Sequence, residues 1–214
     1  MSQRFTFYYD VVCPYAYLAS TQIEAAAARA GGEIEWVPVL LGGIFRAIGQ
    51  ADVPAARMPA AKQHLNLLDM KRYADYYGVP LKLHPRHPLR SVDAMRLLHT
   101  VDGAARVKLT HALYRAHFVD NRDISDRTVL ADYGDLSKLD SPDIKNALRA
   151  ATDRAVSDGA FGVPSFVVEQ NDRRYLFWGQ DRLFFVEKAL GGWSPIANAI
   201  PLSNSTSNQG RSGT

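Results

Sequence analysis

An α/β fold interrupted by a large all-helical insertion is what this 214-residue sequence predicts, on three observations. Strand periodicity gives way abruptly to a helix at Cys13-Pro14, period-two alternation is missing from about Leu40 to Asp158, and it returns at Phe161. The resulting order is β-α-β, a block of helices, then α-β-β-α.

At the start, Phe5, Phe7 and Tyr9 alternate with Thr6 and Tyr8 as a half-buried strand does. Pro14 suits a first helical position, because its φ is preset and the N–H it lacks would have had no partner there. Cys13 then falls at the N-cap. A thiol in that place sits at the positive end of the helix dipole among free backbone N–H groups. Cys13, the one cysteine of the chain, is therefore expected to be a low-pKa nucleophile rather than an inert core thiol. Ala16, Ala19, Ile23, Ala26, Ala27 and Ala30 recur at spacings of three and four, which predicts one helix of about 16 residues ended by Gly31-Gly32. Glu33 to Val39 alternates as a second strand. A helical connection makes the two strands parallel, with the Cys13 turn at the carboxyl end, where open α/β sheets bind ligands.

The middle of the chain reads as helices at Lys62 to Tyr77, stopped by Gly78 and Pro80, then Asp93 to Thr100, Ala104 to Phe118, Asp126 to Gly134 and Ser141 to Asp158. Ser141-Pro142-Asp143 is the clearest start signal among them. Lys82 to Arg90 is too rich in proline for regular structure; it is either a solvated basic loop or a surface that meets a carboxylate. Phe161 to Val168 reads as a strand, turned by Asn171-Asp172 into Arg174 to Trp178, and Gly179-Gln180-Asp181-Arg182 leads into a last helix that ends at Leu190. Pro164 directly before an apolar strand removes a ladder donor and calls for an explanation. Ser194 to Thr214, with Arg211 as its sole charge, is expected to be a loose tail.

Composition excludes several function classes. No run of about 18 apolar residues could span a bilayer, and the first residues lack a secretory pattern, so no membrane partner is expected. A single cysteine cannot form an intramolecular disulfide, which suits the cytoplasm. The balance of 25 Lys+Arg against 22 Asp+Glu leaves a net +3, too small and scattered to argue for nucleic acid.

The element order is that of a thioredoxin-like fold carrying a helical insertion. Residues 1–43 and 155–193 would form the discontinuous thioredoxin-like domain, 44–154 the insertion and 194–214 the tail. Asp10 to Leu18, Leu41 to Phe45, Tyr73 to Pro80, Phe161 to Phe166 and Phe177 to Leu183, in this order, resemble 2-hydroxychromene-2-carboxylate isomerases. These are relatives of kappa-class glutathione transferases within the DsbA-like thioredoxin-fold superfamily. The resemblance implies a glutathione-dependent isomerase acting on an aromatic carboxylate from ring cleavage, by reversible thiol addition, in a homodimer that needs no metal. It implies that Cys13 is the catalytic position and that Cys13, Pro14, Tyr15, Val163, Pro164, Trp178, Gly179, Gln180, Asp181 and Arg182 hold glutathione. Pro164 would be cis, the Val163 backbone would pair with the cysteinyl amide, and Gln180, Asp181 and Arg182 would hold the γ-glutamyl end. On spacing alone, Asp181 reads equally as an N-cap.

Arg46, Arg57 and Lys62 fall where the family's substrate contacts lie, although Phe45 replaces a lysine there and Ala56 and Met58 stand in place of an asparagine. Cys13 occupies a position that is most often serine in the isomerases and kappa transferases. Ala16 stands where a dithiol oxidoreductase has its second cysteine, so a Cys-x-x-Cys cycle is excluded. A kappa-like transferase, a monothiol disulfide oxidoreductase using Cys13 and a peptide-binding module whose thiol is idle are the alternative readings.

Overall fold

The computed structural model describes residues 3–50, 57–170 and 173–194. Its centre is a four-stranded mixed sheet in the order β2-β1-β3-β4, built from β1 (Gln3–Tyr9), β2 (Gly32–Pro38), β3 (Ser165–Gln170) and β4 (Arg173–Trp178). As expected, β1 and β2 are parallel, with Phe7 opposite Trp36. β3 then runs antiparallel to β1 and pairs with β4 in the predicted hairpin, whose Asn171-Asp172 turn lies outside the described residues. Phe7 stacks on Tyr9 and on Phe166, and Trp36 meets both Phe7 and Tyr9 edge-on. Each such buried aromatic contributes a few kcal/mol of burial at most, but together they make β1 the spine of the core.

The connection from β1 to β2 is not one helix but two, α1 (Pro14–Ser20) and α2 (Ile23–Ala30). The Ser20 and Thr21 hydroxyls donate to the carbonyls of Tyr17 and Leu18, at 2.7 and 2.8 Å. Side chains that bond the preceding turn in this way compete with helix continuation. Gly31 closes α2 at φ +66, a left-handed cap that a side chain would strain.

Between β2 and β3 the described residues hold only helices: α3 (Leu41–Ala47), α4 (Ala60–Tyr77), α5 (Val92–Leu98), α6 (Gly103–Phe118), α7 (Arg127–Leu130) and α8 (Pro142–Ser157). The helix expected over Asp126 to Gly134 shrinks to the single turn of α7, capped by the Asp126 carboxylate on the Thr128 N–H. Ser141 caps α8 as predicted, accepting from Ile144 N, with Pro142 in the first turn. Lys82 to Arg90 is irregular, and its His87–Pro88 bond is cis. This segment lies against α6, where His117 is fully buried with neither ring nitrogen bonded to a described group, stacked near His84 and His87. Arg86 pairs with Asp123, so that side chain meets a carboxylate of this chain.

One further expectation is corrected near the second half of the sheet. The strand begins at Ser165 rather than Phe161, because Gly162 to Pro164 turns, with the Ser165 hydroxyl bonding the Gly162 carbonyl at 2.7 Å. As expected, the residues after Gly179 lead into the final helix: a 3-10 turn, Gln180–Arg182, runs into α9 (Leu183–Leu190). The predicted tail lies almost entirely outside the described residues.

Candidate functional site

The end of β1 and the start of α1 place Cys13 at the N-cap, with extended backbone at φ −88 and ψ 116, as Pro14 in the first turn requires. Its thiol donates to the Val163 carbonyl at 3.3 Å across 150 residues of sequence. That contact adds to the β1–β3 pairing that already joins the two halves of the chain. The N–H groups of Ala16 and Tyr15 face the sulfur and favour the thiolate, as a helix start should. Burial outweighs them. Cys13 is only 7% exposed, and desolvation, aided slightly by the Asp10 charge, pushes its thiol up to about 12. The low-pKa expectation is thus overturned: at neutral pH Cys13 is a protonated donor.

Beneath it lies Asp10, fully buried. Its two carboxylate oxygens accept from Val12 N at 3.1 Å, from Leu41 N at 2.9 Å and from the Ser91 hydroxyl at 3.0 Å. One carboxylate therefore ties the Cys13 turn to the starts of α3 and α5. Desolvation exceeds these three bonds and raises its carboxyl to about 6. Sequence reading did not single out this role. The available signal was a carboxylate inside an otherwise uncharged run, Phe5 to Val12.

Opposite Cys13, the Val163–Pro164 bond is cis, as the resemblance implies. Val163 is nearly buried, and its N–H donates to no described group. A buried amide without an acceptor is rare and calls for a partner. The Pro164 carbonyl accepts from Gly179 N at 3.0 Å, which brings Trp178, Gly179 and Gln180 to the same cradle. Gly179 needs its lack of a side chain twice over, since φ is +100 and a Cβ would come 2.7 Å from the Asp181 carboxylate. Trp178, about half exposed, leans on Phe161 at 4.8 Å between ring centres, leaving two aromatic faces toward solvent.

Gln180 is 2% exposed, and its side-chain carbonyl accepts from the Tyr77 hydroxyl at 2.6 Å. Asp181 sits inside the 3-10 turn, not at its cap, and pairs with the neighbouring Arg182; both are partly exposed. The N-cap reading of Asp181 is therefore corrected. Tyr77 also went unread as a partner of Gln180, because 103 residues separate the two in sequence.

The three basic residues expected to meet a substrate are all exposed, and none forms an ion pair among the described residues. Two are linked to Cys13 through its helix. Tyr15 donates from its hydroxyl to the Asn66 carbonyl at 3.4 Å, and Asn66 bonds the Met58 sulfur at 3.2 Å, which sets Arg57 and the first turn of α4, with Lys62, on the Tyr15 side. Arg46 lies in the last turn of α3, away from the end that Asp10 holds. A groove of about 630 Å³ between α2, β2 and the start of α6 shares no residue with this cradle.

Comparison with known proteins gives a consistent picture. A model of the DSBA-like thioredoxin domain matches residues 4–191. The 2-hydroxychromene-2-carboxylate isomerase of Sphingobium xenophagum is 29% identical over 198 residues, covering 89% of this chain and 99% of that protein. Glutathione S-transferase kappa 2 of Caenorhabditis elegans is 24% identical over 197 residues, covering 83% of this chain and 87% of its own. In fold, a solved 2-hydroxychromene-2-carboxylate isomerase superposes with a TM-score of 0.75 at 23% identity, over 88% of this chain and 95% of its own.

Proposed function

The chain belongs to the DSBA-like thioredoxin-domain family, beside 2-hydroxychromene-2-carboxylate isomerases and kappa glutathione transferases, and from that premise we propose that it is a glutathione-dependent isomerase of an aromatic ring-cleavage product. The observation that carries the proposal is the backbone of Val163. Its carbonyl meets the Cys13 thiol while its N–H has no described acceptor, so one backbone donor beside the thiol is left to pair with another peptide.

Glutathione is a small peptide with a thiol at its centre, and the residues present fit it. The Val163 N–H would pair with its cysteinyl unit, Gln180, Asp181 and Arg182 with the γ-glutamyl end, and Pro14, Tyr15, Trp178 and Gly179 would complete the walls. Bound, it would supply a thiol for reversible addition to an unsaturated acid. The protein's own contribution follows from protonation. Cys13, neutral at pH 7 and held at the helix start, would turn its one S–H from the Val163 carbonyl to an adjacent sulfur anion and is itself a poor attacker. That is the part serine plays in relatives of this kind, and it weighs against the redox reading. Arg46, Arg57 and Lys62 are proposed to meet the substrate carboxylate. Cytoplasmic placement, favoured by the single cysteine, and a homodimer belong to the same proposal. No helix among the described residues is long and apolar enough to cross a membrane.

Three assays side by side test this reading: glutathione-dependent spectral change of 2-hydroxychromene-2-carboxylate, conjugation of chlorodinitrobenzene, and disulfide exchange. The first should dominate. Conjugation alone would move the assignment to the kappa transferases, and exchange alone would sink it. Asp181→Ala is expected to weaken glutathione about tenfold by calorimetry, the low end for a charge-assisted contact, because the carboxylate is partly exposed and already shared with Arg182. An unchanged affinity would remove Asp181 from the site.

A further inference from the structure

We propose that Tyr77, the last residue of α4, is a positioning residue that turns the Gln180 side-chain amide so that its nitrogen faces the bound peptide. This rests on the glutathione reading above. Gln180 is almost wholly buried, yet only half of its amide is used inside the protein: the Tyr77 hydroxyl claims the carbonyl oxygen at 2.6 Å. The nitrogen donates to no described group and is not among the polar atoms sealed from solvent without a partner. A primary amide has one acceptor end and one donor end. Once a hydroxyl fixes the acceptor end, the donor end has a single direction left.

Location gives that direction a use. Gln180 follows Gly179, whose N–H is bonded to the Pro164 carbonyl, so the free N–H pair belongs to the same cradle as the Val163 amide. Two donors and no charge suit a carboxylate, here that of the γ-glutamyl end. The hydroxyl that sets this orientation comes from α4, an 18-residue helix of which only Met70 and Ala74 are buried. Weakly buried as it is, α4 is held to the cradle by hydroxyls instead: Tyr77 on Gln180, Tyr15 on the Asn66 carbonyl, and Tyr17 on the Pro80 carbonyl just beyond the helix at 2.8 Å. The insertion therefore reports on the peptide site through Gln180. Docking of α4 and capture of the γ-glutamyl end become one event.

Calorimetry on wild type, Tyr77→Phe, Gln180→Leu and the double variant tests this, with glutathione and with cysteinylglycine, which lacks the γ-glutamyl unit. Tyr77→Phe is expected to weaken glutathione about fivefold to tenfold, to leave the weaker cysteinylglycine binding unchanged, and to add no further loss to Gln180→Leu. Equal weakening of both peptides would show a general structural role and overturn the inference. So would a Tyr77→Phe affinity equal to wild type. Should wild type bind no glutathione at all, the cofactor reading itself fails, which the variants alone could not produce. Gln180→Leu keeps the test decisive if Tyr77→Phe is unstable, since it should show the same glutathione-only loss.

Discussion

Replacing Cys13 by alanine is expected to lower glutathione-dependent turnover on the order of a hundredfold or more, whereas Cys13→Ser should stay within about tenfold of wild type. The asymmetry follows from the state of the thiol. Burial holds it up at about 12, so at neutral pH it offers a hydrogen to a neighbouring sulfur anion rather than an electron pair to a substrate. A serine hydroxyl offers the same hydrogen, and more strongly; alanine offers none. A redox role gives another pattern, because serine has no accessible redox couple and both variants would then be equally inactive in disulfide exchange. Turnover indifferent to both substitutions would leave Cys13 as a core residue only.

Acid stability should separate two buried groups whose effects run in opposite directions. The Asp10 carboxyl is raised from 3.8 to about 6, so the folded state holds its proton more tightly than the unfolded chain does. Its stabilising contribution is full below the unfolded value and is lost as pH rises through about 6, a difference of about 3 kcal/mol. His117 is lowered from 6.5 to about 4, chiefly by burial and then by the neighbouring His87, and there the sign reverses. Its contribution is intact above the unfolded value and is lost as pH falls toward about 4, again by about 3 kcal/mol. In wild type the two largely offset each other. Asp10→Asn should therefore lose about 3 kcal/mol more than wild type between pH 7 and pH 4, and His117→Phe, which keeps the ring against His87 and Phe118, should lose about 3 less. Urea unfolding at both pH values measures this. Parallel profiles for all three proteins would refute the assignment.

The parts of this site carried by local chemistry were legible in the sequence. A proline after an apolar strand fixed Cys13 at a helix start, and a proline before another strand marked the turn at Val163-Pro164. What depends on distant chain was not. The thiol's ionisation turned on burial, which no local pattern around Pro14 records. Asp10 looked like one residue of a motif until Leu41 and Ser91 arrived on its oxygens, and Tyr77 looked like the end of an amphipathic helix until Gln180 met it. The break between α1 and α2 is a different kind of miss, since Ser20 and Thr21 were in plain view and their hydroxyls compete locally with the helix.

Glutathione titrated calorimetrically into the wild-type protein at neutral pH, with S-methylglutathione alongside, tests the central claim most directly. The account predicts one site of submillimolar affinity for glutathione, and weaker binding of the methylated peptide, whose sulfur cannot become the anion that Cys13 is placed to meet. No heat of binding for either peptide at millimolar concentration would contradict it.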